Sequence, residues 1–172
     1  MVDGQNLRAL LLTGVYGTGK SSVAVEIADI LDERDEPYAV LDLDFLMWFR
    51  APGSEAEDYE MMRRNLVAVV SNYRTAGVRT FVLALSLPDK AELESLRSVL
   101  SMPLRVVRLT VPLREIERRL SGDITSGRQD DLRVAAEWLA ARTGEGMEDL
   151  AVPNDRPLRE VATEIVDWLG WG

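Results

Sequence analysis

An α/β fold, with a parallel sheet covered by helices on both faces, is what this sequence predicts, and three observations predict it. Short apolar runs rich in β-branched residues alternate along the chain with longer segments whose apolar residues recur at helical spacing. The links between them are short, as in βα units, where right-handed crossovers follow and ligands gather at the carboxyl ends of the strands. The first apolar run leads straight into Gly14-Val15-Tyr16-Gly17-Thr18-Gly19-Lys20-Ser21, which fits G-x-x-x-x-G-K-[ST], and then into a helical segment.

Taken in order, Leu7–Thr13 is the first strand and Ser21–Asp32 the first helix, with Val23, Ile27, Ile30 and Leu31 on one face. After the Asp35-Glu36-Pro37 break, Tyr38–Leu43 is the second strand. Gly53 to Asp58 reads as a loop, and Glu57–Ala76 as a helix closed by Gly77. Arg79–Leu87 is the third strand and the most uniformly apolar, as suits the middle of a parallel sheet. A helix over Asp89–Leu100 precedes a fourth strand, Leu104–Leu109, which follows Met102-Pro103. Helices at Leu113–Leu120 and Asp130–Thr143 flank a loop from Gly122 to Gln129. Asp149–Val152 is a short fifth strand ended by Pro153, and Leu158–Leu169 the last helix. No repeat or linker interrupts residues 1–172, so one domain is expected.

Composition narrows the chemistry. The chain has 172 residues, 47% of them hydrophobic and 28% charged, which is the balance of a globular protein. A net charge of −9 argues against nucleic acid or anionic membrane as a partner, so a bound nucleotide must rely on local donors and a metal ion. The absence of Cys excludes disulfides and thiolate chemistry, and suits a cytoplasmic location. There is no His either, so a general base must come from Asp, Glu, Lys or Tyr. The N-terminus has no signal-peptide pattern, and no apolar run reaches the ~20 residues of a membrane helix.

The glycine-rich segment carries the strongest chemical signal. Its glycines let several backbone N–H groups converge on one anion, and the helix that follows adds its positive end. Lys20 would reach the β- and γ-phosphates, and the Ser21 hydroxyl would ligate Mg²⁺. The expected nucleotide contacts are Gly14, Tyr16, Gly17, Thr18, Gly19, Lys20, Ser21 and Ser22.

Three further places could complete a site. At the end of the second strand, alternation sets Asp42 and Asp44 on one side, facing the phosphate loop. One could orient Mg²⁺ and the other accept a proton from an attacking hydroxyl; alternatively either one caps the segment from Phe45. Arg118 and Arg128, with Arg119 a near substitute for Arg118, bracket a flexible stretch and suit a lid at about 118–130. The competing reading is Glu-Arg pairing on a solvated helix. Asn154 and Asp155, after the fifth strand, either hold a nucleotide base or form a plain turn before Pro157. Trp48, Phe49 and Tyr59 line an acceptor pocket or pack a helix edge. Arg50, Arg63 and Arg64 hold an anionic acceptor or stand in solvent.

The loop Gly14–Ser21, the aspartates 42 and 44 and the Arg118…Arg128 stretch together resemble the small P-loop kinases, in the branch of adenylylsulfate kinase, gluconate kinase and chloramphenicol phosphotransferase. The resemblance covers nearly the whole chain in element order. It implies a P-loop nucleoside-triphosphate hydrolase fold with sheet order 2-3-1-4-5, ATP-Mg²⁺ as donor, a closing lid, and a monomer or homodimer acting on a small-molecule hydroxyl. It puts the catalytic aspartate at Asp44, with Asp42 in support at the metal. Lys20, Arg118 and Arg128 complete the catalytic set. Ser86 is a departure, because many P-loop enzymes place a metal-directed acid there. That departure motivates a second reading, a nucleotide-binding switch or accessory protein with little catalysis. A GTPase is disfavoured by the lack of N-K-x-D, and an ABC-type ATPase because Leu120-Ser121-Gly122-Asp123 stops short of its signature.

Overall fold

A computed structural model describes residues 7–120 and 126–171, with the side chains of 126–129 excepted. The strands are β1 (Arg8–Thr13), β2 (Tyr38–Asp42), β3 (Thr80–Ala84), β4 (Leu104–Thr110) and β5 (Leu150–Pro153). The helices are α1 (Lys20–Asp32), α2 (Glu55–Thr75), α3 (Lys90–Leu100), α4 (Leu113–Leu120), α5 (Ser126–Ala140) and α6 (Leu158–Leu169). The five strands form one all-parallel sheet in the order β2-β3-β1-β4-β5, as the resemblance implies.

Strand alternation builds a core on each face. Leu10 and Leu12 of β1 join Val23 and Ile27 of α1 and Val161 and Ile165 of α6 on one side. Ala9 and Leu11 point the other way, into Met62 and Leu66 of α2 and Leu93 and Leu96 of α3. β3, wholly buried, lies between β2 and β1, which explains its unbroken apolar run. The sheet thus presents the C-terminal ends of β1, β2 and β3 side by side, and the candidate site residues Lys20, Ser21, Asp42 and Asp44 collect there.

Several boundaries differ from expectation for local reasons. Glu55 to Asp58 are helical rather than loop, because Ser54 and Glu57 form a reciprocal capping box that starts α2 early. α5 begins at Ser126 and ends at Ala140, so 126–129 belong to a helix that the two glycines at 122 and 127 disguised as loop. The third strand stops at Ala84. Beyond it Leu85 N–H still donates to Leu12 O and Leu87 N–H to the Thr13 hydroxyl, which holds the exit of β3 against β1. After Asp42 the chain turns into a short 3-10 helix, Leu43–Leu46, so it is that turn, and not strand alternation, that places Asp44.

Candidate active site

The loop between β1 and α1 has the geometry of an anion cradle. Gly14 has φ +138 and Gly19 φ +90, both closed to most other residues. A Cβ on Gly14 would stand 2.7 Å from Leu109 O, and one on Gly19 2.6 Å from Asn154 Nδ2. The loop is also pinned from inside. The buried Thr18 hydroxyl donates to Val15 O at 2.8 Å, and the buried Ser86 hydroxyl donates to Gly14 O at 2.9 Å. Ser86, at the position where many P-loop enzymes place an acid, is therefore a fastener between the exit of β3 and the loop.

Lys20 opens α1 with its side chain buried, its ammonium donating to Gly14 O at 3.2 Å and Val15 O at 3.3 Å and lying 5.5 Å from the Tyr16 ring centre. Burial pushes its pKa below the usual lysine range, while the carboxylates of Asp44, Asp42 and Asp131 pull it back up. The next residue, Ser21, donates its hydroxyl to Asp42 Oδ2 at 2.6 Å. Asp42 Oδ1 accepts Asp44 N–H at 3.2 Å, so Asp42 does cap the 3-10 turn and meets the phosphate loop at the same time. Asp44 is half-buried. Desolvation raises its pKa, the Asp42 charge raises it further, and Lys20 opposes both.

Asp42 and Asp44 open into a cavity of about 720 Å³ that is also lined by Tyr16, Phe45, Trp48 and Asp131. Phe45 and Trp48 stack at 5.5 Å between ring centres and are 65% and 79% exposed. Asn65 of α2 donates to Leu46 O at 2.7 Å and fastens the turn that carries them. Tyr59 of α2 lines a second cavity of about 360 Å³, together with Glu55, Arg63, Asp89 and Glu92. Its phenol is pushed up, first by burial and then by Tyr16, Glu55, Glu92 and Asp44. Arg63 is not free for an anion: it bonds Glu92 at 2.5 Å and Glu60 at 2.9 Å.

On the far side of the glycine-rich loop, Arg119 meets the loop carbonyls. Arg119 donates to Asn154 O at 2.7 Å and reaches Gly17 O and Thr18 O at 3.4 Å. Arg118 donates to Glu115 at 2.6 and 2.8 Å, and its side chain is 73% exposed. The helical offset separates the two arginines, since one residue turns a side chain by about 100°. Glu115, bonded by both arginines, is drawn down to about 2. Arg128 falls on α5, and its side chain and residues 121–125 of the expected lid lie outside the described residues. Asn154 is fully buried and its amide donates to Thr18 O at 2.7 Å, which makes it a prop for the loop; Asp155 and Ser22 are exposed. The prop was not legible as such, because the contact spans 136 residues.

Among the described residues no group of three or more acidic side chains is gathered as a metal cage. Mg²⁺ needs no such cage, since it usually keeps waters and takes one or two protein oxygens beside phosphate oxygens. A hydroxyl and a carboxylate at the mouth of a phosphate cradle fit that requirement.

Parallel order, phosphate loop and facing carboxylate together define the architecture of the small P-loop kinases, and the chain is similar to them along its length. An APS kinase from Mycobacterium tuberculosis, solved with AMPPNP and APS, is 26% identical with a TM-score of 0.64, over 96% of this chain and 98% of that one. A gluconokinase from Sinorhizobium meliloti 1021 is 21% identical with a TM-score of 0.64, over 96% and 93%. A shikimate kinase from Bacteroides thetaiotaomicron is 16% identical with a TM-score of 0.66, over 94% and 98%. No protein-family model and no curated protein matches the chain. Among the described residues no helix is long and apolar enough to cross a membrane.

Proposed function

We propose that the protein is an ATP- and Mg²⁺-dependent kinase that transfers the γ-phosphoryl group to a hydroxyl of a small molecule. The observation that carries this reading is the pairing of Ser21 with Asp42 beside a buried Lys20, at the mouth of a cavity that also holds Asp44. The loop amides and Lys20 hold the phosphates, and Arg119 adds charge at the edge of the cradle. Ser21 and Asp42 would hold Mg²⁺, which supplies charge neutralisation on the phosphates. Asp44 faces the cavity where an acceptor would sit. As the acceptor oxygen attacks the γ-phosphorus, the bond to the β-phosphate oxygen breaks and ADP departs. The acceptor proton passes to the Asp44 carboxylate, whose raised pKa suits a base.

The likeness to an APS kinase solved with AMPPNP supports ATP as the donor. The switch reading draws on Ser86; what supports the kinase reading against it is the Asp42–Ser21 contact, which offers a carboxylate from β2 where Mg²⁺ would sit. ADP release measured across hydroxyl-bearing metabolites tests the proposal. We expect acceptor-stimulated turnover of about 1–100 s⁻¹, the kinase range, and Asp44→Asn to lower kcat about 10²–10⁴-fold with ATP affinity kept. Tight ATP binding with no acceptor-stimulated turnover would restore the switch.

A further inference from the structure

The acceptor end of the cleft has an unusual charge. Of the basic side chains among the described residues, only Arg63 lines either cavity, and Glu60 and Glu92 already neutralise it. Carboxylates line both: Asp42, Asp44 and Asp131 in one, Glu55, Asp89 and Glu92 in the other. Three of these have work elsewhere. Asp42 holds Ser21, Asp89 caps α3 by accepting Glu92 N–H, and Asp44 is the base of the reaction proposed above.

Glu92 is different. Its side chain is 10% exposed, and while Oε2 takes Arg63, Oε1 is buried with no hydrogen-bond partner. A buried carboxylate oxygen without a donor costs free energy that folding alone does not return. Glu92 itself lines the second cavity, from which a small side-chain shift would bring a donor to that oxygen. In the same cavity Glu55 is exposed, and in the other the tilted Phe45–Trp48 pair offers aromatic faces suited to a cation.

Resting on the kinase reading, we propose that the acceptor is a hydroxyl compound bearing a protonated amine, such as an amino sugar, aminocyclitol or amino alcohol. Its ammonium is received by Glu92 and Glu55 while a hydroxyl is presented to Asp44. Among the described residues an anionic acceptor would meet three carboxylates in either cavity and at most one spent arginine, and like-charge juxtaposition selects against it.

The test uses the full chain with Mg²⁺ and matched compounds: glucosamine, glucose and gluconate; serinol, glycerol and glycerate; 2-deoxystreptamine and myo-inositol. Calorimetry with AMPPNP comes first, and no heat there overturns the kinase reading and this one with it. With nucleotide bound, the amine member of at least one set should exceed its neutral partner about tenfold or more in kcat/KM, with the carboxylate lowest. Glu92→Gln should erase most of that preference through KM, bringing the amine member down toward its neutral partner while AMPPNP affinity stays within about twofold. Glu55→Gln, at an exposed position, should weaken the preference in the same direction without the folding risk of a buried site. Neutral or anionic members preferred in every set, or no amine bound at millimolar concentration while AMPPNP binds, would overturn the charge assignment and leave the phosphate site standing.

Discussion

On the donor side of the cleft the chain is fastened from several directions: Thr18 to Val15, Ser86 to Gly14, Asn154 to Thr18, Arg119 to the carbonyl of Asn154. On the acceptor side Phe45 and Trp48 stand in solvent over an open cavity, on a short turn held by Asn65 and by Asp42. The contrast follows from what each side would bind. A triphosphate presents the same oxygens to every enzyme that uses it, so a cradle of backbone amides can be rigid before binding and lose little entropy on contact. An acceptor differs from enzyme to enzyme, and exposed rings, worth about 25 cal/mol per Å² once covered, let a few side chains set the preference.

The comparison is broken most forcefully at Lys20. Lys20→Ala should lower kcat by about 10²–10³-fold, the cost of losing one preorganised charge at the transferring group. Its stability effect should stay within about 1 kcal/mol, because the desolvation penalty of the buried ammonium offsets its bonds to Gly14 and Val15. ADP release and urea denaturation of the same preparation measure the two. Equal nucleotide stabilisation of wild type and variant would remove the lysine from the phosphate site.

A smaller effect is expected one layer behind the loop. Asn154→Ala leaves the buried Thr18 carbonyl with only the long 3.4 Å contact from Arg119, and should cost about 1–3 kcal/mol of unfolding free energy. If the donor side works through rigidity, ATP affinity should fall with it although Asn154 is a prop. Lost stability with unchanged affinity would show a cradle that tolerates loosening.

The same asymmetry decides what could be read from the amino acids alone. The donor loop is contiguous, Gly14 to Ser21, and the strand and helix that frame it carry clear periodicity; sheet order follows from the P-loop resemblance. Residues joined across the sheet left weaker signals. Asp42 and Ser21 meet over 21 positions and could be paired only through the expected strand order. Arg119 and Asn154 meet over 35, and nothing local distinguishes Arg119 from Arg118 until the helix phase is known. Glu92 gave no signal, since a glutamate in the first turn of α3 is ordinary capping chemistry until α2 packs over it.

The mildest perturbation sharpens the comparison on the acceptor side. Trp48 is 79% exposed and packs chiefly on Phe45, so Trp48→Ala should change unfolding free energy by no more than about 0.5 kcal/mol. ATP affinity should be untouched, because no fastening of the phosphate loop runs through the indole. What should change is KM for the acceptor, by several-fold, with kcat for the bound complex nearly kept, since the ring would contribute the same contact before and during transfer. Steady-state kinetics at saturating ATP separate the two constants. A fall in kcat with KM unchanged would instead place the indole in contact with the reacting group, and would move the boundary between the rigid and the adaptable side of the cleft from Asp44 out to Trp48.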